Sequence, residues 1–249
     1  MTFQAPFRPR FGPLFGGAAA VTPFSPLNVA GLAAWWDFSD ITTLYQDAAR
    51  TTPVTADGDV IGGVADKSPN GRHLSQATTS LKALYKTGIL NGKSASLFDG
   101  SDDAFALTSL TSTTSFSFFV VFRPTSQVDS YGTILTQANI SGFWYRGSTI
   151  RKMSLYYSVD HINNNAFTDN TASIYSARVV SGSGTHYRNG VADGTMASVP
   201  SIGFTAIGND ANSDTYKGYI FDMLVYTGTV SEADFAAITA YLNSKWAVY

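Results

Sequence analysis

The segment from Ser115 to Arg123 constrains the fold more than any other part of this 249-residue chain. Successive side chains of a strand point to opposite faces, and both sets of side chains in this segment are apolar. One set is Phe116, Phe118, Val120 and Phe122, and the other includes Phe119 and Val121. A strand that is apolar on both faces has to be covered on both faces. The segment therefore predicts a central strand of a layered β protein, ended by Pro124.

Further apolar segments, separated by Gly, Asn, Asp and Ser, predict more strands and almost no helix. These strands are predicted at 133–137, 143–146, 152–158, 173–180, 185–188, 204–207 and 218–226. Asn189 and Gly190 both tolerate positive φ, so the pair predicts a tight hairpin turn.

One helix is predicted near the C-terminus, where Ser231 can cap the first turn. Its apolar stripe consists of Phe235, Ile238, Leu242 and Trp246. We expect the helix to lay this stripe on the edge of a β sandwich.

Composition narrows the functions that such a sandwich can have. Charged residues make up 14% of the chain and the net charge is -2, which argues against a basic face for nucleic acid. There is no cysteine, so disulfides and thiolate metal sites are excluded. The sequence contains no apolar run of the ~20 residues that would span a bilayer. We therefore expect neither a nucleic-acid partner nor a membrane partner.

Six short sequence motifs, taken in order, resemble those of the concanavalin A-like, laminin-G-like jelly-roll family. They are GLAAWWDF at 31–38, DKSPNGRHL at 66–74, LFDGSDD at 97–103, FSFFVVFRP at 116–124, YRNG at 187–190, and IG at 207–208 followed by YKGYIFDMLVY at 216–226. The resemblance runs from about residue 29 to the end. It implies an all-β, antiparallel jelly-roll sandwich, here with one C-terminal helix and an extended N-terminal arm.

A closer resemblance concerns the two ends of the chain. The Pro/Phe-rich opening followed by LAAWWDF, and the closing YLNSKW at 241–246, are similar to domains of tailed-bacteriophage structural proteins. Such proteins are head decoration, spike or tail-fibre proteins. This resemblance implies a protein made in the host cytoplasm, carried on the virion surface and oligomeric in the assembly.

The first 28 residues differ in composition from residues 29–249, and we assign the two parts to an anchoring arm and a sandwich domain. Five of the nine prolines lie in the arm, and they are incompatible with a continuous helix. Exposed phenylalanines would be a liability in a free monomer. We therefore expect the arm to bind other virion proteins, capsid or tail subunits, although it could instead fold back on its own sandwich. The anchoring residues predicted are Phe3, Phe7, Arg8, Arg10, Phe11 and Phe15.

Sugar recognition needs flat apolar rings together with polar side chains that bind hydroxyls. The segment around Trp144 and the nearby tyrosines has these residue types, although a strand there would bury at least one ring. The candidate glycan-binding residues are Trp144, Tyr145, Arg146, Tyr156 and Tyr157. A host polysaccharide is the expected ligand, and plain core packing is the alternative.

No cofactor is expected, with Ca²⁺ as the one open possibility. Asp210, Asn212 and Asp214 place three oxygen-bearing side chains at alternate positions, a spacing that can surround a hard cation. A loop rich in turn-forming residues explains the same pattern.

We expect the protein not to be an enzyme. Glycoside hydrolysis needs a pair of carboxylates, and the chain has a single glutamate, Glu232, placed where it favours the helix dipole. His73, His161 and His186 lack metal-ligand spacing. The alternatives to a virion protein are a secreted or surface carbohydrate-binding module and, third, a polysaccharide-degrading enzyme.

Overall fold

A computed structural model describes residues 1–2, 23–126, 130–137, 141–148, 150–209 and 214–249. In these residues two antiparallel sheets pack face to face, and one helix covers the outside of the first sheet. The fold class predicted from the sequence, an antiparallel β sandwich with one C-terminal helix, is confirmed. No helix in the described part of the chain has the length and apolar character needed to cross a membrane.

The strands, in chain order, are β1 Leu32–Asp37, β2 Leu44–Tyr45, β3 Gly63–Val64, β4 Leu74–Ser75, β5 Leu84–Leu90, β6 Lys93–Asp99, β7 Phe105–Thr111, β8 Phe116–Pro124, β9 Gly132–Gln137, β10 Ser141–Arg146, β11 Lys152–Tyr156, β12 Asp160–Ile162, β13 Ser173–Val180, β14 Ser183–Arg188, β15 Val191–Met196, β16 Gly203–Ile207 and β17 Lys217–Thr227. The helix is α1, Glu232–Trp246, and three short 3-10 turns span Pro26–Asn28, Ile41–Thr43 and Thr79–Leu81.

Sheet A has the order β15-β14-β13-β8-β17-β6-β5, and β1 also pairs with β17. Sheet B has the order β12-β11-β10-β9-β16-β7-β4-β3-β2. In sheet A, β8 lies between β13 and β17, which confirms the central strand predicted from its two apolar faces. The inner side chains of β8 join the core between the sheets, and its outer side chains join a second cluster under α1.

Helix α1 lies on the outer face of sheet A, and the expectation that it would lie at an edge is wrong. Phe235 packs against Phe119 of β8, with 4.7 Å between ring centroids, and against Tyr187 of β14 at 4.8 Å. The helix can occupy this face because Phe119 and its neighbours on β13 and β17 leave the face apolar. The Ser231 hydroxyl accepts from the Asp234 backbone N–H, so the predicted N-cap is confirmed.

The loop between β3 and β4 satisfies the free edge of β1. The Asp66 carboxylate accepts a hydrogen bond from the Trp35 N–H at 2.9 Å and from the Arg72 N–H at 2.8 Å. The Asn70 amide donates to the Leu32 carbonyl at 2.8 Å. The DKSPNGR motif thus forms hydrogen bonds with backbone groups of β1 that could otherwise pair with another strand.

The turn between β14 and β15 confirms the hairpin predicted at Asn189 and Gly190. Their φ values are 52° and 78°, as a turn with two left-handed residues requires. The Asn189 side chain also accepts from the Ile174 N–H at 2.9 Å, which ties the hairpin to β13.

The last residues of the predicted arm lie against the sandwich. Pro26 is buried, and its carbonyl accepts from the Tyr226 hydroxyl at 3.0 Å. The ring of Phe24 lies 6.1 Å from that of Tyr241 on α1. Phe24 and Leu27 nevertheless expose 36% and 54% of their surface. Residues 23–28 therefore fold with the domain and expose apolar side chains at its surface.

Candidate functional site

The outer face of sheet B, which is turned away from sheet A, carries part of the predicted glycan site. Phe143 and Tyr145 of β10 point into the core between the sheets. Because side chains alternate along a strand, Trp144 and Arg146 point to the opposite face. On β11, Met153 and Leu155 are likewise in the core, which turns the Tyr156 side chain outward. The structure therefore brings Trp144, Arg146 and Tyr156 onto one surface.

Two predicted residues lie elsewhere. Tyr145 has no exposed surface and contacts Phe122 and Tyr216 in the core. Tyr157 follows the end of β11, packs against the core, and stacks on His161 with 5.1 Å between ring centroids. Burial therefore removes Tyr145 from any surface that a ligand could reach.

A row of polar side chains crosses the outer face at Trp144. Thr133 of β9 and Ser154 of β11 are the cross-strand neighbours of Trp144 on its two sides. A bulge in β9 sets this register, because Ile134 and Leu135 both join the core. Thr133, Trp144 and Ser154 are 0%, 5% and 1% exposed.

This row lacks internal hydrogen bonds. Within the described residues, Thr133 Oγ1, Trp144 Nε1 and Ser154 Oγ are buried and have no hydrogen-bond partner. A buried polar group left without a partner costs about 1–3 kcal/mol, and such groups are rare in folded proteins. The row therefore holds unused hydrogen-bonding capacity.

Charged and aromatic side chains border the row. Arg146 forms an ion pair with Asp160 of β12, and its guanidinium lies 4.3 Å from the ring centroid of Tyr131. Tyr156 meets Trp144 edge to face at 5.6 Å. Tyr131 and Tyr156 are each 37% exposed, so their rings are open to a ligand. We call these five residues, Tyr131, Trp144, Arg146, Tyr156 and Asp160, the outer-face cluster.

Sequence reasoning missed Tyr131, Asp160 and the two hydroxyls of the row. Thr133 and Ser154 are ordinary strand residues, and only the register places them beside Trp144. The alternation of side chains along the strand indicates that Trp144 points to the face opposite Phe143 and Tyr145. It does not indicate which strands pair with β10.

A second cluster consists of carboxylates at the end of β6 and in the loop that follows it. Asp99, Asp102 and Asp103 each bring a carboxylate oxygen within 4.8 Å of the others. Burial, together with the charges of Asp99 and Asp102, raises the pKa of Asp103 to about 6. Oxygen ligands of this kind suit Ca²⁺ or another hard cation.

The predicted calcium residues can be placed only in part, because Asp210 and Asn212 lie outside the described residues. The Asp214 carbonyl accepts from the Thr133 N–H at 3.0 Å. Thr215 donates to the Gly100 carbonyl at 2.7 Å. Asp214 and Thr215 therefore lie near the carboxylate loop.

Two of the three histidines, His161 and His186, lie near each other, and each of the three has a hydrogen-bonding or stacking partner. His73 Nδ1 accepts from the Asp66 N–H at 3.0 Å, and His161 stacks on Tyr157. His186 Nδ1 lies 2.7 Å from the Tyr175 hydroxyl, and burial lowers its pKa to about 4. Each histidine is thus engaged with its own local partner.

Glu232 begins α1, where a carboxylate interacts favourably with the helix dipole. Its side chain is 88% exposed and lies 3.7 Å from Arg178. Glu232 is therefore an exposed residue in the first turn of the helix.

The predicted anchoring residues lie outside the described residues. These are Phe3, Phe7, Arg8, Arg10, Phe11 and Phe15.

Comparison with known proteins gives structural similarity without a sequence family. No protein-family model matches the chain, and no curated protein matches it. Domain 4 of AbnA, an extracellular GH43 arabinanase from Geobacillus stearothermophilus solved with arabinotriose, is similar at a TM-score of 0.58 and 16% identity. The similarity covers 85% of this chain and 99% of that domain.

Two longer proteins are also similar. The binding domain of Paraclostridial Mosquitocidal Protein 1 matches with a TM-score of 0.54 at 12% identity, over 72% of this chain and 50% of that one. Trypanosoma rangeli sialidase, in a complex with 2,3-difluorosialic acid, matches with a TM-score of 0.54 at 11% identity, over 93% of this chain and 35% of that one. The chain thus spans half the length of the mosquitocidal binding domain and about a third of the length of the sialidase. At such identities the similarity establishes the fold alone, a jelly-roll β sandwich.

Proposed function

We propose that this protein binds glycans through the outer-face cluster and is not an enzyme. The observation that carries the proposal is the pair of exposed rings, Tyr131 and Tyr156, beside the partly exposed charged side chains of Arg146 and Asp160. Aromatic rings offer an apolar face to the C–H groups of a sugar, and the guanidinium and the carboxylate can bind its hydroxyls. The similarity to the AbnA domain solved with arabinotriose supports a sugar ligand for this fold.

A glycan array with the purified protein tests this function. Tyr131→Ala and Tyr156→Ala should each weaken binding about tenfold, which is the loss of about 1.4 kcal/mol expected when one stacked ring is removed. Tyr249→Ala is the matched control, because Tyr249 is 57% exposed and lies next to α1 and Gly190 instead. Equal binding by all three variants would reject the outer-face cluster as the site.

The finer part of the proposal is that the sandwich is displayed on a bacteriophage particle. It rests on the resemblance of the two ends of the chain and on the phenylalanines and prolines of residues 1–28. The exposure of Phe24 and Leu27, where the arm meets the domain, supports an apolar contact with a neighbouring capsid or tail subunit. A virion-surface location and an oligomeric assembly belong to the same proposal.

Deleting residues 2–22 tests the display, because it leaves Phe24 and Pro26 in place against Tyr241 and Tyr226. We expect the truncated protein to keep its melting temperature and glycan binding and to be lost from purified particles. Incorporation at the normal level would favour a secreted or surface glycan-binding module. Release of oligosaccharides from a purified capsular polysaccharide would establish an enzyme.

A further inference from the structure

The ion pair between Arg146 and Asp160 crosses the outer face of sheet B above a strand. Arg146 belongs to β10 and Asp160 to β12, and β11 lies between these two strands. The outward residue of β11 in line with Trp144 is Ser154, whose cross-strand neighbour on β12 is Ile162. The pair therefore connects β10 to β12 over β11, the strand that carries the buried Ser154 hydroxyl.

The polar groups without partners on this part of the face include both donors and acceptors. The indole Nε1 of Trp144 can only donate, and the hydroxyls of Thr133 and Ser154 can donate as well as accept. None of these three groups has a partner among the described residues. The Asp160 carboxylate uses Oδ2 on Arg146, and its Oδ1 is buried without a partner among the described residues. The charges on this face, rather than its unpaired hydrogen-bonding groups, therefore distinguish one class of ligand from another.

Positive charge predominates on this face. Arg146 and Lys152 are direct cross-strand neighbours on β10 and β11, so two cations share one face. Like charges in this arrangement destabilise a sheet, and Asp160 is the anion that pairs with Arg146. The protein as a whole has a net charge of -2, so this local excess of positive charge runs against the overall balance.

We propose that the outer-face cluster selects acidic sugars, and that the sugar carboxylate replaces Asp160 as the partner of Arg146. This inference rests on the proposed glycan-binding function and names the class of glycan. A planar guanidinium binds a carboxylate through two parallel hydrogen bonds, which an uncharged hydroxyl cannot match. Asp160 is then an internal competitor that holds Arg146 in position until a ligand carboxylate arrives, and Tyr131 supports the guanidinium from its ring face.

The test compares acidic glycans with their methyl-esterified counterparts, which keep the sugar backbone and lose the charge. Binding of oligogalacturonate, sialyllactose and their methyl esters is measured by array and by calorimetry for the full chain. We expect the wild type to bind at least one acidic form about tenfold more tightly than its ester, and to lose this preference at high salt. Arg146→Gln should abolish the preference.

Asp160→Asn separates competition from a merely structural role. It removes the internal carboxylate, so affinity for the acidic form should rise several-fold while affinity for the ester changes less than twofold. Asp57→Asn is the matched control, since Asp57 pairs with Lys86 at 2.6 Å on the strand β5 side, away from the outer face. Its binding should equal that of the wild type.

The outcomes distinguish the two proposals. Equal binding of acid and ester by the wild type, or weaker binding of the acid by Asp160→Asn with an unchanged melting temperature, overturns the preference for acidic sugars and leaves glycan binding standing. If neither the wild type nor Asp160→Asn binds any glycan on the array, glycan binding itself is overturned.

Discussion

Asp222 of β17 and Lys245 of α1 meet in the interior, with 2.6 Å between Oδ2 and Nζ. Asp222 has no exposed surface, and Trp35 Nε1 donates to it at 2.8 Å. Lys245 also contacts Asp37 of β1 at 2.7 Å. Burial raises the pKa of Asp222 to about 6, whereas Lys245 and Lys67 overcome the same effect at Asp37 and lower its pKa to about 2. The pair therefore fastens the helix to the middle of sheet A.

Removing the lysine from this pair should destabilise the fold strongly. Lys245→Met leaves Asp222 buried without its cation, and we expect a loss of about 3–5 kcal/mol at pH 7. The loss should shrink as the pH falls from 7 towards 6, because Lys245 lowers the pKa of Asp222, and without this lysine the buried carboxyl takes up a proton at a higher pH than in the wild type. Urea unfolding at pH 5 and 7 measures both effects. Lys86→Met, at the exposed pair with Asp57, should have little effect on stability and serves as the control. Similar losses in both variants would contradict the prediction.

Asp103 should make stability depend on pH between about 4 and 6. Its folded pKa is about 6, above the ordinary value of 3.8, so the folded state binds more protons than the unfolded state in this window. Stability contributed through Asp103 is therefore highest below pH 4 and is lost as the pH rises to 6. Two units of pKa correspond to about 3 kcal/mol, and Asp103→Asn should recover much of this at pH 7.

Unfolding of the wild type and Asp103→Asn in EDTA, from pH 4 to 7, measures the difference. A free-energy difference that stays constant with pH would show that Asp103 titrates normally. Repeating the pH 7 measurement with Ca²⁺ tests the carboxylate loop as a cation site. If the loop binds the ion, Ca²⁺ raises the melting temperature of the wild type and has a smaller effect on Asp103→Asn.

Two glycines with nearly equal φ separate steric clash from backbone strain. Gly31 has φ +85°, and a Cβ there would lie 2.4 Å from the Thr227 carbonyl oxygen, whereas Gly58 has φ +87° and open space around it. Gly58→Ala should cost only about 1 kcal/mol, the penalty of a left-handed alanine. Gly31→Ala should cost several times more, because β1 must move away from β17. Thermal unfolding compares the two, and equal losses would mean that the backbone at Gly31 adjusts freely.

Removing the Asp66 side chain should destabilise the fold more than removing an exposed aspartate side chain. Asp66→Ala removes the acceptor for the Trp35 and Arg72 N–H groups, and we expect a loss of about 2–4 kcal/mol. Asp47→Ala is the control, since Asp47 likewise accepts from the Thr51 and Thr52 N–H groups but at an exposed turn. Denaturant unfolding should show a clearly smaller loss for Asp47→Ala than for Asp66→Ala. A larger loss for Asp47 than for Asp66 would contradict the assignment of Asp66 to the edge of β1.

Several phrases that carried the family resemblance prove to be parts of the framework. The WWD motif contributes Trp35 and Asp37 to the network around Lys245. The DKSPNGR motif contributes Asp66, which accepts a hydrogen bond from the free edge of β1. From β8 onward, every strand except β12 and β15 was predicted, because alternation and turn residues are local signals. The two-residue strands β2, β3 and β4 are too short for any pattern, and they form because long-range pairing holds them.

By itself, the sequence determined the all-β class, the central strand at Phe116–Pro124, the Asn189-Gly190 hairpin and the capped C-terminal helix. Each follows from a local preference of the backbone or from a periodic run of apolar side chains. Only the tertiary structure decided that Trp144 faces outward beside Thr133 and Ser154, that Tyr145 is buried, and that Arg146 reaches Asp160. Strand register and pairing between distant segments set these relationships, and a one-residue shift would turn every side chain to the other face.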